Sequence, residues 1–473
     1  MRLLLICDNP AEIGGVSNYT RPLFRELRNQ GVDVTLLCTS SMLRRFHFFR
    51  RSGIHPLEEG VFEYYNCPIL PTNYSHPAND LRHTRMEKEI RRFLDSGHFD
   101  VVHIHSMVGM PVSLYGLLKE TGAKILTTVH EYWWLCPYRV MVDFNNRICD
   151  GPEDFTRCAY CTRRRGHVKD DRYRVFVIKF ENTFPRLHAA LFRLYRKWKP
   201  IPPPSGVSSL EFGNDKVPAG FEPALADAWK TRLGACIAGL NLCDRVIGVS
   251  EDVRRSLVKY GVDADRILVQ HIGSAIAEKT IPHTRAVNPD DVVFGFIGGV
   301  GFYKGVHQLV KAYAWLPASL KERSRLEIFG KYEQPYVDAI TQTYLADEAD
   351  RRRVTFHGRF SPEDIPGITN QIDISVLPSL CADTAPQTIF ESFNAGLPII
   401  APRVGGFPDF VIDGENGLLY PAGDVDGLKA CLAAILTDVS MIGRFRERIP
   451  RTKTMSENAR ELLSLYEMPQ CEV

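Results

Sequence analysis

The chain has 473 residues, 44% of them hydrophobic and 24% charged, a balance that suits a globular protein of two or three domains. A formal net charge of +2 gives no overall reason to expect nucleic acid. No apolar run reaches 18 residues, so no membrane-spanning helix is expected.

The start, residues 1–15, carries a short apolar run without the length or cleavage site of a signal peptide, and it reads as a first buried strand. A reducing, cytoplasmic compartment is therefore expected, with Cys7, Cys38 and Cys243 as free core thiols among the twelve cysteines. Strand-like runs at 3–7, 34–38, 101–105, 125–129 and 245–249 alternate with helical patterns. The pattern restarts after Pro289, with runs at 292–297, 326–329, 354–357, 372–377 and 398–401. This alternation predicts an α/β protein with parallel sheets. Two Rossmann-like domains, 1–276 and 290–440, are joined by a polar linker at 277–289 that holds two prolines. The segment 441–473 has helical periodicity at 456–466. Ligands in open parallel sheets sit beyond the carboxyl ends of the strands, so two facing sheets predict a cleft between domains.

The first strand leads into Asn9-Pro10-Ala11-Glu12-Ile13-Gly14-Gly15-Val16. Val16, Tyr19, Leu23, Phe24 and Leu27 then follow helical spacing. Gly14 and Gly15 allow backbone to approach a ligand closely. The spaced third glycine of a dinucleotide fingerprint is absent. Further on, His130 and Glu131 follow the run 125–129. A histidine there can hydrogen-bond a substrate or titrate near neutral pH. His105 ends the neighbouring strand and reads as its support.

Cys136, Cys149, Cys158 and Cys161 form C-x12-C-x8-C-x2-C. In a reducing compartment this spacing reads as a tetrahedral, structural metal site, with zinc first and an iron–sulfur cluster second. Asp143, Asp150, Glu153 and Asp154 make the surrounding loop too acidic for a nucleic-acid ribbon. Residues 161–200 then hold twelve Lys/Arg against three Asp/Glu, a local net of +9 that leaves −7 for the rest. Leu187, Leu191, Leu194, Tyr195 and Trp198 share one helical face, with Arg186, Arg193, Arg196 and Lys197 elsewhere. The basic insertion, 162–235, thus suits either a helix packed on the domain or, through 163–199, an amphipathic helix at an anionic membrane surface. After a proline-rich stretch, residues 205–230 read as a mobile loop.

The second domain opens with a strand, then Gly298, Gly299, Gly301 and Lys304-Gly305. Lys304 stands where the third glycine of a nicotinamide loop would fall, which disfavours that cofactor. Residues 372–377 end in a polar turn carrying Asp383, and a helix starts at or near Pro386, with Thr388 in its first turn and Glu391 eight residues after Asp383. A helix mouth favours an anion, and a carboxylate one turn in can bind hydroxyls, which together suit a phosphate-linked sugar.

This order of strand, Pro, small-residue helix, Gly-Leu-Pro, strand, Gly-Gly and Asn-Gly-Leu-Leu resembles the donor-site signature of family 4 retaining glycosyltransferases of the GT-B fold. That signature has two glutamates with seven residues between them; here Asp383 and Glu391 take the two positions. The family has an Arg after the first glycine of the opening loop, where this chain has Gly299. The segment around Cys136 resembles a subset with HxYWWLCP followed by cysteines. The resemblance implies a GT-B fold with facing domains and a final helix crossing back to the first. It implies a hexosyltransferase that takes a UDP- or GDP-sugar to a glycan or lipid-linked acceptor, typically in surface polysaccharide synthesis, without a catalytic metal. Lys304 and the helix mouth at Pro386 and Thr388 would hold the diphosphate, with Gly14, Gly15 and Gly298 close to the donor. Glu391 would bind ribose hydroxyls, Asp383 sugar hydroxyls, and His130 would lie near the transferred sugar. Such a protein works in the cytoplasm or peripherally at the inner face of the membrane. The alternatives are a nucleotide-sugar 2-epimerase on the same fold and a silent nucleotide-sugar-binding protein.

Overall fold

The computed structural model describes residues 1–9, 15–39, 47–69, 76–136, 138–165, 171–198, 210–278 and 283–469. Gly14, part of the linker and part of the basic insertion lie outside them. Eight strands build the first sheet: β1 (Arg2–Asp8), β2 (Asp33–Thr39), β3 (Gly53–Glu58), β4 (Val61–Tyr65), β5 (Val101–Ile104), β6 (Lys124–Val129), β7 (Arg245–Gly248) and β8 (Ile267–Val269). Their order is β3-β4-β2-β1-β5-β6-β7-β8. The β3–β4 pair is antiparallel and the other pairs are parallel. Six strands build the second: β9 (Val292–Ile297), β10 (Ser324–Phe329), β11 (Val354–Gly358), β12 (Ile374–Val376), β13 (Ile399–Pro402) and β14 (Gly417–Tyr420). They run β11-β10-β9-β12-β13-β14, all parallel. The chain is thus two Rossmann-like α/β domains. Strand order reverses at β1 and at β9, so Asp8 and Ile297 end their strands at the crevices where such sheets bind ligands.

The expected strands form because their apolar runs are covered on both faces; every residue of β9, Val-Val-Phe-Gly-Phe-Ile, is buried. Sequence reasoning missed β3, β4, β8 and β14. In β3 only Gly53 is buried and Pro56 confines it to an edge, so it has no apolar period to read. β8 and β14 span only three and four residues.

The final helix, Met455–Glu467, opens with a capping box between Thr454 and Glu457. It crosses back to the first domain and contributes Met455, Ala459, Leu462, Leu465 and Tyr466 to that domain's core. Tyr19 Oη donates to Asn458 Oδ1 at 2.7 Å. The buried Lys124 ammonium meets the helix end, donating to the carbonyls of Leu465 at 2.5 Å and Tyr466 at 3.2 Å. A cation there satisfies carbonyls that a helix end leaves free.

The expected mobile loop at 205–230 needs correction over its described part. Its end is the first turns of a helix, Pro223–Asn241, with Pro223 in the first turn. Leu225, Ala226 and Trp229 bury against Ala159 of the helix Phe155–Arg165. Among the described residues no helix is long and apolar enough to cross a membrane.

Candidate functional site

One wall of the site is built at the carboxyl ends of β9 and β12. Gly298 ends β9 with φ +147°, and the chain turns through Phe302–Lys304 to Gly305. Gly305 has φ +69°, and a Cβ there would lie 1.7 Å from the Pro378 carbonyl oxygen, so only glycine fits. This locks the Lys304 turn against the loop after β12. That loop leads to the helix Gln387–Asn394, with Pro386 at its N-cap. Gly298, Lys304, Ser379, Asp383, Pro386 and Thr388 line one small cavity. A larger recess, lined by Arg91, His98, Phe99 and Glu120, lies at the amino ends of β5 and β6, the opposite end of that sheet from the crevice.

Within the cavity Lys304 Nζ donates to Asp383 Oδ2 at 2.7 Å, and Ser379 Oγ donates to the same oxygen at 3.3 Å. Burial works against the Lys304 ammonium, but Asp383's charge and hydrogen bond outweigh it and hold the lysine above its ordinary range. Glu391 sits one turn into the helix, and burial pushes its carboxyl up. The Gly-Gly pair after β13 fixes the Asp383 loop. Gly406 N–H donates to the Asp383 carbonyl at 2.8 Å, and a Cβ on Gly406 would come within 2.0 Å of the Thr384 carbonyl oxygen.

The other wall comes from the first domain. Thr384 Oγ1 donates to the His130 carbonyl at 2.5 Å, which brings the loop beside Asp383 onto the end of β6. His130 Nε2 and His105 Nδ1 share a hydrogen bond at 3.0 Å, and the Tyr19 ring packs 4.8 Å and 5.6 Å from the two imidazole centroids. Burial lowers the His130 pKa to about 3. Of the two roles open to a histidine there, this favours a neutral hydrogen-bonding group over one that titrates near neutral pH, because taking an imidazolium out of water is costly. Gly15 opens the helix Gly15–Asn29, and a Cβ there would meet open space.

Sequence reasoning named Glu131 only as a neighbour and missed Asp8 and Arg139. Burial raises the Glu131 pKa to about 7, Arg139 opposes it and Asp8 adds to it. Arg139 Nη1 lies 3.5 Å from Glu131 Oε2, while Oε1 is buried without a hydrogen-bond partner. An acidic residue directly after a strand-end histidine was the available signal. Because the folded-state pKa is raised, the folded protein holds this proton more tightly than the unfolded chain. Stability should therefore fall as pH rises from about 4.5 to about 7. Glu131→Gln should flatten that slope and raise the melting temperature at pH 8, read from thermal unfolding across pH. Identical slopes in the two proteins would rule this out.

The domains also meet beside the site. Asp409 Oδ2 accepts from the Glu251 N–H at 2.7 Å and lies 3.2 Å from His271 Nε2. Its carboxylate thus faces the amino end of the helix Glu251–Lys259, where negative charge is favoured. Phe390 and Phe410 pack at 5.1 Å between centroids, and Phe390 belongs to the first domain's core.

The cysteine expectation is not met. Among the described residues no group of three or more His, Cys, Asp or Glu side chains is placed to hold a metal ion. Cys136, Cys149, Cys158 and Cys161 form no disulfide. They share a neighbourhood, since burial raises the Cys158 thiol and the charges of Cys136, Cys149 and Cys161 add to that rise. Cys149 Sγ, however, donates to the Gly151 carbonyl at 3.7 Å. The spacing brings the sulfurs near one another without converging them on one point.

Two family models match successive stretches of the chain. A glycosyl transferase 4-like domain matches residues 14–150, and glycosyl transferases group 1 matches residues 278–461. The D-inositol 3-phosphate glycosyltransferase of Corynebacterium glutamicum is 27% identical over 234 residues, 46% of this chain and 56% of the relative. Glycogen synthase of Mycobacterium tuberculosis is 28% identical over 166 residues, 34% of this chain and 38% of the relative. The chain thus spans about half or less of the length of these curated relatives. Among solved structures, Anabaena HepE in complex with UDP superposes with a TM-score of 0.60 at 13% identity, over 99% of this chain and 100% of that one. Sucrose-phosphate synthase of Thermosynechococcus elongatus gives 0.60 at 17% identity, over 98% of each chain. At these identities the structures speak for the GT-B fold alone.

Proposed function

Residues 278–461 belong to the glycosyl transferases group 1 family and residues 14–150 to the glycosyl transferase 4-like domains, and from that premise we propose that the chain is a retaining glycosyltransferase. Its donor is a UDP- or GDP-sugar, and its acceptor is a glycan or lipid-linked sugar used to build surface polysaccharide. One observation carries the reading. Lys304, Asp383 and the helix mouth share a cavity, and the loop beside Asp383 is hydrogen-bonded to His130 across the domain boundary. HepE, on the same fold, is a UDP-binding protein.

The diphosphate takes the place of Asp383 on the Lys304 ammonium, against the N–H groups that open the helix Gln387–Asn394. Asp383, released, accepts hydroxyls of the sugar, and Glu391 accepts those of the ribose. The bond between the anomeric carbon and the phosphate oxygen breaks as the acceptor oxygen bonds to that carbon on the same face. The acceptor's proton passes to the departing phosphate. The protein supplies position and charge stabilisation rather than a base. Neutral His130 hydrogen-bonds the sugar from the facing wall, and Glu131 with Arg139 borders the acceptor. With Gly299 in place of a family arginine, Lys304 carries the neutralisation of the leaving group.

Incubating the protein with a panel of labelled UDP- and GDP-sugars, with and without glycan acceptors, tests this. Sugar transfer or slow hydrolysis with one donor is expected. Epimerised donor, or binding without turnover, would overturn the proposal.

A further inference from the structure

Residues 151–277 lie outside both matched segments, and they hold the whole of the strongly basic stretch 161–200. Helices Asp171–Thr183 and Pro185–Trp198 form one kinked arm, since the Phe184 N–H donates to the Phe180 carbonyl and the His188 N–H to the Phe184 carbonyl. Pro185 sits at the bend, the residue type that kinks a helix. At 1.5 Å per residue the arm is about 40 Å long. Its first half is tied to the body: Phe48 N–H donates to Thr183 Oγ1 at 3.1 Å, and Phe48 packs on Phe176 with centroids 5.7 Å apart. Its second half turns its apolar stripe to solvent. Leu187, Leu191 and Leu194 are 51%, 52% and 61% exposed, and Phe49 beside the arm is 82% exposed. A helix packed on the domain would have buried that stripe. Arg186 and Arg193 are exposed and stand about 100° round the helix from it.

We propose that this arm docks the protein on an anionic lipid bilayer, with the leucine stripe in the headgroup layer and the arginines on lipid phosphates. Charge selects this occupant. The stretch carries +9 against −7 for the rest of the chain. A second copy meeting the arm with its own would set +5 against +5 over residues 171–198. A nucleic acid would match the charge but leave the leucines in water. A negative membrane surface accepts both faces.

The arm's footing gives the docking a direction. Phe48 and Phe49 lie in the connection from the carboxyl end of β2 to Gly53, which pairs with Tyr65 at the carboxyl end of β4. Because β1, β5 and β6 run parallel to β2, that is the end of the sheet where Asp8, His105 and His130 emerge. Docking therefore holds the cleft's first-domain wall beside the bilayer, where a lipid-linked acceptor can reach it. That last step rests on the proposed transfer reaction; the docking does not.

The test is co-sedimentation of the full chain with phosphatidylcholine vesicles, with and without phosphatidylglycerol. Binding to the anionic vesicles alone is expected, weakening as salt rises. Arg186→Gln with Arg193→Gln should weaken it roughly thirtyfold, at about 1 kcal/mol for each basic residue near the surface. Leu191→Glu with Leu194→Glu should abolish it. Hydrolysis of a soluble nucleotide sugar should be unchanged in both variants, which separates loss of docking from loss of the donor site. No vesicle binding, or equal binding to neutral vesicles, would overturn the proposal. So would a dimer in light scattering that the leucine variant dissolves, or retention on RNA without binding to vesicles.

Discussion

Lys304→Ala should lower kcat for sugar transfer or donor hydrolysis about a hundred- to a thousandfold, the usual cost of removing one preorganised group that stabilises developing charge. Among the described residues lining the cavity Lys304 is the cation, and Gly299 adds none. The ammonium lies 2.7 Å from Asp383, with the lysine side chain 44% exposed and the aspartate 25%. An ion pair that exposed contributes little to stability, so the variant should fold and melt like the parent. The ammonium is held at the cavity by Asp383, which the diphosphate is expected to displace. Lys304→Arg should recover only part of the loss, because a planar fork does not reproduce a point charge at the same distance. Asp383→Asn makes the opposite change. It releases Lys304, so free nucleoside diphosphate should bind more tightly while transfer falls. Turnover by Lys304→Ala equal to the parent's would refute the assignment.

Arg232→Ala should destabilise the first domain by about 3–5 kcal/mol, the cost of stranding one partner of a buried ion pair. Arg232 Nε donates to Asp80 Oδ2 at 2.6 Å, with the two side chains 2% and 7% exposed. Its Nη1 donates to the Trp133 carbonyl at 3.1 Å, and the guanidinium lies 4.3 Å from the Trp133 ring centroid. The arginine thus ties the helix Pro223–Asn241 to the turn Tyr132–Trp134, two residues after His130. A melting shift on the order of 10 °C is expected in thermal unfolding. Arg232→Lys should not rescue it, since lysine offers neither the planar face nor the fork. A shift of a degree or less would mean that Asp80 finds water or another partner.

The sequence carried the fold wherever an element was long and apolar. The runs behind β1, β5, β6 and β9 are buried throughout their predicted cores, so composition alone marks them. The helix Pro223–Asn241 escaped because it is apolar and small-residue-rich around much of its surface, without a clear polar face to set its period. At the site, residues local to a motif were legible: Lys304, Asp383 and Thr388 do meet in one cavity. The pairing of Lys304 with Asp383 was not, because the two are 79 positions apart and the adjacent carboxyl ends of β9 and β12 bring them together. The neutrality of His130 was likewise invisible, since burial sets it and no local residue announces burial. The cysteine spacing puts the four sulfurs in one neighbourhood, but among the described residues no group placed to hold a metal supports the expected site.

The most direct measurement is a crystal structure of the protein soaked with the nucleotide sugar that the panel selects. The account predicts a diphosphate within hydrogen-bonding distance of Lys304 Nζ and the first N–H groups of the helix Gln387–Asn394, the ribose on Glu391, and Asp383 turned from the lysine to the sugar. A diphosphate bound elsewhere, with the Lys304–Asp383 pair still closed, would contradict it.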